Sequence, residues 1–78
     1  MPTLPLRAAV GAAIRHLRAG QGIAQERLAA LAGVDRAFFG KLERGESNPS
    51  VETLAKVADA LGVPLDVLFA EVERQRGR

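Results

Sequence analysis

The sequence predicts an all-α protein of five short helices. Apolar residues recur at spacings of three and four, and glycine and proline clusters interrupt the chain at short intervals. The alternation expected of a half-buried strand is nearly absent. A length of 78 residues makes one domain, spanning 1–78, with no repeat, low-complexity segment or linker.

The first helix is expected over residues 6–19, where Val10, Ala13, Ile14 and Leu17 form an apolar stripe and "GQG" ends it. "AQERLAALA" makes a second helix, with Leu28, Ala29 and Leu31 apolar, and it stops at Gly33. Only Val34 and Asp35 separate that glycine from a third helix, which Asp35 caps and which runs through Arg44 to Gly45. After the turn "ESNPS", Ser50 caps "VETLAKVADAL", a fourth helix whose buried side is Val51, Leu54, Val57, Ala58 and Leu61. "GVP" breaks the chain again, and "LDVLFAEVERQRGR" makes a fifth helix with Leu65, Leu68, Phe69 and Val72 on one side. The closing "RQRGR" reads as frayed.

Composition narrows the chemistry. Hydrophobic residues are 47 % and charged residues 26 %, an ordinary globular balance. Zero cysteines exclude a disulfide framework and a thiolate zinc site, and the single histidine, His16, leaves no imidazole-rich metal site. His16 stands beside no nucleophile–base spacing, so no catalytic residue, metal or cofactor is expected. No apolar run reaches the ~18 residues of a membrane helix. The start "MPTLPLRAAVGAAIRHLR" lacks a basic leader and is interrupted by arginines, so it reads as no signal peptide. A reducing, cytoplasmic setting is expected. The net charge of +2 is unevenly placed. Residues 1–45 hold seven basic against three acidic side chains, and residues 46–78 four against six, which suggests a basic working face in the first half.

The second and third helices, about 25–44, form two short segments around a tight glycine turn, the geometry of a helix-turn-helix. A generic helical hairpin has similar features. At 100° per residue, Phe39, Leu42 and the stem of Glu43 share the core-facing side of the third helix. Arg36, Ala37, Gly40, Lys41 and Arg44 share the other, a cationic face without an acid. A mid-helix glycine costs roughly 0.5–1 kcal/mol relative to alanine. Close approach to a bulky partner at Gly40 would offset that cost. Phe38, on the flank, either packs on the second helix or the loop after Gly45, or lays its ring edge on a deoxyribose or a thymine methyl.

The stretch "AIRHLRAGQGIAQERLAALAGVDRAFFGKLERGESNPSVETLAKVADALGV" resembles the Cro/repressor-type helix-turn-helix transcription regulators of bacteria and phages. The motifs that carry the resemblance are an arginine late in the first helix, "Q-E-x-L-A", "A-G-V", "L-E-R-G" and "N-P-S-x-x-T-L". Within the family it most resembles restriction–modification controller proteins and compact phage-type repressors. The resemblance implies a lambda-repressor-like fold and sequence-specific binding of double-stranded DNA, with the third helix in the major groove. Asp35, Arg36, Ala37 and Lys41 match base-contacting positions, and Arg36 can pair bidentately with guanine. Gln25, Arg44, Ser47 and Asn48 match backbone-contacting positions, with Phe38 and Gly40 alongside them. Arg18 and Glu43 match a structural ion pair. Ala24 departs from the pattern, since it stands where a serine or threonine usually caps the second helix.

One recognition helix spans only a few base pairs, so a homodimer on an operator with two half-sites is expected. The dimer surface is expected at about 62–74, through Leu65, Val67, Leu68, Phe69 and Val72. The resemblance also admits RNA polymerase as a partner, and it places the protein with DNA in the nucleoid. The competing function is a protein-interaction module, such as an antitoxin that neutralises a partner and autoregulates its operon.

Overall fold

The computed structural model describes residues 4–77, which form five helices. These are α1 (Leu6–Gly20), α2 (Gln25–Ala32), α3 (Arg36–Glu43), α4 (Val51–Leu61) and α5 (Leu65–Gln75). Helix α1 packs against α5, α3 and α4, while α2 bridges α3 and α4. Each helix sends its apolar stripe into one core. Ile14, Leu28, Phe39, Leu42, Val57 and Leu68 are its largest fully buried side chains, and small residues such as Ala9, Ala13, Ala29 and Ala58 fill the gaps between helices.

Backbone comes close to backbone where α1 crosses the end of α3. A methyl group placed at Gly11 would stand 2.5 Å from the carbonyl oxygens of both Leu42 and Glu43. Just beyond, Gly45 adopts φ +77, and a methyl group there would stand 2.8 Å from the Cα of Ala8. Glycine is required at both places, by space at Gly11 and by space and conformation at Gly45.

A buried carboxylate braces the last turns of α5 beside α1. Glu71 is 5 % exposed and accepts from Arg74 Nε and Nη2 at 2.9 and 2.7 Å and from Gln75 Nε2 at 2.8 Å. His16 Nε2 of α1 lies 3.9 Å away. Burial pushes the Glu71 carboxyl up, but hydrogen bonds from Gln75 and Arg74 and the charges of Arg74 and His16 outweigh it. The group is held below its ordinary 4.5. Just past the C-terminal end of α1, Gln21 Nε2 donates to the carbonyl of Leu61 at 2.7 Å.

Two expectations for α5 need correction. Leu68 and Val72, assigned to a dimer surface, are 0 % and 4 % exposed because α5 turns them into the monomer core against α1. Leu65 is partly buried against the same core. That leaves Val67 and Phe69 as the exposed large apolar side chains of α5. The helix also runs two residues, Arg74 and Gln75, into the stretch expected to be frayed. It stays helical through Gln75, because Arg74 and Gln75 are tied to Glu71, and Arg76 donates to Glu73 at 2.9 Å. Arg78, the last residue of that expected frayed end, lies outside the described residues.

Gly11→Ala should force α1 off α3 and destabilise the fold by at least about 1–3 kcal/mol, read as a lower urea midpoint. Because the folded Glu71 carboxyl is depressed, its stabilisation is present above the ordinary 4.5 and is lost as pH falls through the folded value. Glu71→Gln should therefore flatten the acid limb of a stability–pH profile measured by urea denaturation.

Candidate nucleic-acid interface

The turn between α2 and α3 follows from local chemistry. Gly33 ends α2 at φ 69, ψ 33, a left-handed conformation that lets the chain reverse. Its N–H reaches Ala30 O at 3.1 Å, and the N–H of Val34 reaches Ala29 O at 2.9 Å. Asp35 then caps α3, its Oδ2 accepting the Phe38 N–H at 3.0 Å. Leu28, Ala29 and Ala32 of α2 join Phe39 and Leu42 of α3 in the core, so the two helices are one rigid unit. No side chain caps α2 at Ala24.

This unit turns a cationic face outward. Arg36, Ala37, Lys41 and Arg44 are exposed, whereas Phe39, Leu42 and Glu43 are buried. Asp35 is exposed as well, but its carboxylate is engaged in the cap. Phe38 is half-buried and packs against the core.

Gly40 departs from its expected place on an open face. It is buried, and a methyl group there would stand 3.3 Å from Arg44 Nη1 and 3.8 Å from Gln25 Oε1. Two polar side chains have settled over it because nothing projects from α3 at that point. The loop beyond is also less open than expected. Asn48 is exposed, but the Ser47 Oγ is shielded and has no hydrogen-bond partner, so as placed it faces no outside partner.

Glu43 anchors the interface from behind. Its carboxylate meets Arg18 of α1 in a two-pronged pair, Nε to Oε2 at 2.7 Å and Nη2 to Oε1 at 3.1 Å. Oε1 also accepts from Gln25 Nε2 at 2.9 Å, which fixes the amide at the start of α2. The Glu43 backbone carbonyl accepts from Arg15 Nη1 at 3.0 Å, and Arg18 Nη1 donates to Ile23 O at 2.9 Å. Side chains of two helices, α1 and α2, thus converge on one acidic residue of α3.

The sequence reading missed Gly11, Arg15 and Glu46. The first two had a visible signal, since Gly11, Arg15 and Arg18 are four and three residues apart and share one face of α1. Glu46 accepts from Arg44 Nε at 3.1 Å and Nη2 at 3.4 Å, and only its nearness in sequence marks it.

An all-α core with a capped, glycine-turned helix pair and an exposed basic second helix defines a helix-turn-helix DNA-binding regulator. The chain belongs to the helix-turn-helix family, whose description, "Helix-turn-helix", matches residues 14–68. It is 40 % identical over 57 residues to the HTH-type transcriptional regulator SutR of Escherichia coli (strain K12). That match takes in 73 % of this chain and 32 % of SutR, so the chain spans about a third of that relative's length. It superposes on the clp gene regulator ClgR of C. glutamicum with a TM-score of 0.90 and 36 % identity, covering 97 % of each chain. It also superposes on the restriction–modification controller protein C.Esp1396I, solved as a tetramer with its natural 35-base-pair operator. There the TM-score is 0.86 and the identity 26 %, over 94 % of this chain and 96 % of that one. The lambda-repressor-like arrangement of five helices is thus shared with controller proteins. Among the described residues, no helix is long and apolar enough to cross a membrane.

Glu43→Gln should keep the shape of the side chain and weaken the pair with Arg18, a guanidinium that is only 17 % exposed. Stripping a sheltered charge of its partner costs about 3–5 kcal/mol at full burial. A drop in stability of about 2 kcal/mol or more is expected in urea melts, alongside native-like helix content by circular dichroism.

Proposed function

We propose that the protein is a sequence-specific, homodimeric transcriptional regulator that lays α3 in the major groove of double-stranded DNA. The carrying observation is the exposed face of Arg36, Ala37 and Lys41, held on a rigid helix whose other side is locked in the core. A guanidinium at Arg36, in the first turn of α3, suits bidentate readout of guanine O6 and N7. Lys41 takes a base edge or a phosphate, and Ala37 suits a thymine methyl. Asp35 lies at the same end of α3, and its carboxylate reaches a base only at the expense of its cap.

Phosphates are gripped at both ends of the unit. At one end stand Gln25 and the uncapped amides of α2. At the other stand Arg44 and Asn48, with Ser47 contributing through the loop backbone; Gly40, covered by Arg44 and Gln25, and the half-buried Phe38 lie behind them. Pairing through Val67 and Phe69, with the edge of Leu65, sets two α3 helices to meet successive grooves about 34 Å apart. The protein acts in the cytoplasm, on chromosomal or phage-type operators.

Selection of bound duplexes from a random pool, followed by nuclease footprinting, tests this reading. A discrete two-fold footprint is expected, and the absence of any preferred sequence would sink it. Arg36→Ala should weaken the selected site by about 1–3 kcal/mol and relax preference at one base pair. Gln25→Ala should weaken all duplexes alike. Sedimentation should find dimers at tens of micromolar, and Phe69→Glu should shift them to monomers without loss of helix.

A further inference from the structure

Glu46 and Arg44 form an ion pair on the proposed DNA face, and the pair has no evident structural duty. Both side chains are more than half exposed, at 57 % for Arg44 and 54 % for Glu46. Exposed pairs of this kind contribute little to folding. Their geometry is nevertheless defined. Arg44 Nε lies 3.1 Å from Glu46 Oε2 and Nη2 lies 3.4 Å from Oε1, so the carboxylate covers one edge of the guanidinium. The remaining nitrogen, Nη1, folds back over Gly40 on the side where Gln25 lies.

We propose that Glu46 competes with DNA phosphate for Arg44 and so sets the strength of the protein's sequence-independent grip on the duplex. The inference rests on the DNA-binding reading above and adds to it a residue that acts against binding. A phosphate oxygen and a carboxylate oxygen seek the same face of a guanidinium. For Arg44 to take a phosphate through Nε and Nη2, Glu46 has to swing away. If it stays, it brings a negative charge beside the DNA backbone. Either course lowers affinity for every duplex, because phosphate contacts carry no sequence information. Base contacts by Arg36 and Lys41, on earlier turns of α3, are untouched. Weak sequence-independent binding matters to a regulator because random sites in a genome vastly outnumber operators.

The contrast within the site supports the assignment. Glu43 also binds an arginine and a DNA-facing side chain, but it is buried and its partner Arg18 belongs to the scaffold. Glu46 lies in the loop after α3; its backbone N–H closes the turn on Lys41 O at 2.9 Å, while its carboxylate accepts from the arginine that the duplex would need. Gly40 beneath leaves Arg44 room to move, since nothing of α3 projects there.

The test measures binding of full-length wild type, Glu46→Gln, Arg44→Gln and the double variant to a random-sequence duplex across a salt series. Melting curves serve as a folding control. Glu46→Gln should tighten binding about two- to five-fold for each recognition helix engaged, the scale of a surface ion pair. It should also steepen the salt dependence by about one phosphate contact per helix. In the Arg44→Gln background the same change should bring a clearly smaller gain, since only the charge effect remains. An equal gain in both backgrounds would mean that Glu46 acts only through net charge, and the inference would fall. It would fall equally if Glu46→Gln left affinity unchanged while wild type bound DNA. A wild type that binds no duplex at low salt would overturn the DNA-binding reading itself, and the inference with it.

Discussion

The structure depends on how α1 is bound to the end of α3. Gly11 lets the two backbones touch, Arg15 takes the last carbonyl of α3, and Arg18 takes the Glu43 carboxylate. These three residues form one stripe on α1, and all three meet Glu43. A helix of eight residues has too few internal hydrogen bonds to persist alone. It is held by caps at both ends, Asp35 at its start and the α1 arginines at its finish.

That arrangement has a functional consequence. Glu43 binds Arg18 and Gln25 at once, so the amide at the head of α2 and the outer face of α3 are set by the same buried charge. The cationic rim is therefore presented at a fixed angle, although the side chains of Arg36 and Lys41 are exposed to solvent. Rigid backing under mobile cations is what a groove-reading helix requires, because groove fit sets orientation while long side chains adjust to individual bases and phosphates. Disturbing Arg18 would then weaken DNA binding through the fold and not through a lost contact.

Charge and apolar surface are sorted by element. Part of the basic excess of the first half, Arg36 and Lys41, is displayed on α3, while α5 spends its best apolar side chains, Leu68 and Val72, on the core of its own chain. Only Val67 and Phe69 remain exposed on α5, a narrow strip, so the proposed dimer rests on fewer residues than the full apolar stripe offers. Glu71 is buried beside His16 of α1, and its hydrogen bonds to Arg74 and Gln75 brace the last turns of α5 itself.

The five helices, their ends and the glycine-turned pair were legible in the order of residues alone. Local signals suffice for these features: Asp35 and Ser50 cap with their own side chains, Gly33 takes a conformation other residues avoid, and the apolar periodicity marks most of each buried face, although Val51, expected on the buried side of α4, is 62 % exposed at its first turn. Arg36, Ala37 and Lys41 were equally legible as an outward set, since a helical wheel needs no knowledge of neighbours. Tertiary structure alone decided that Gly40 would lie covered, that Arg44 would face Glu46, and that Gly11 would be the point of closest approach. It also decided which half of the α5 stripe would be inside. The reason is physical. Periodicity tells which residues share a side of one helix, but only the packing of a second helix settles what that side meets, and how near.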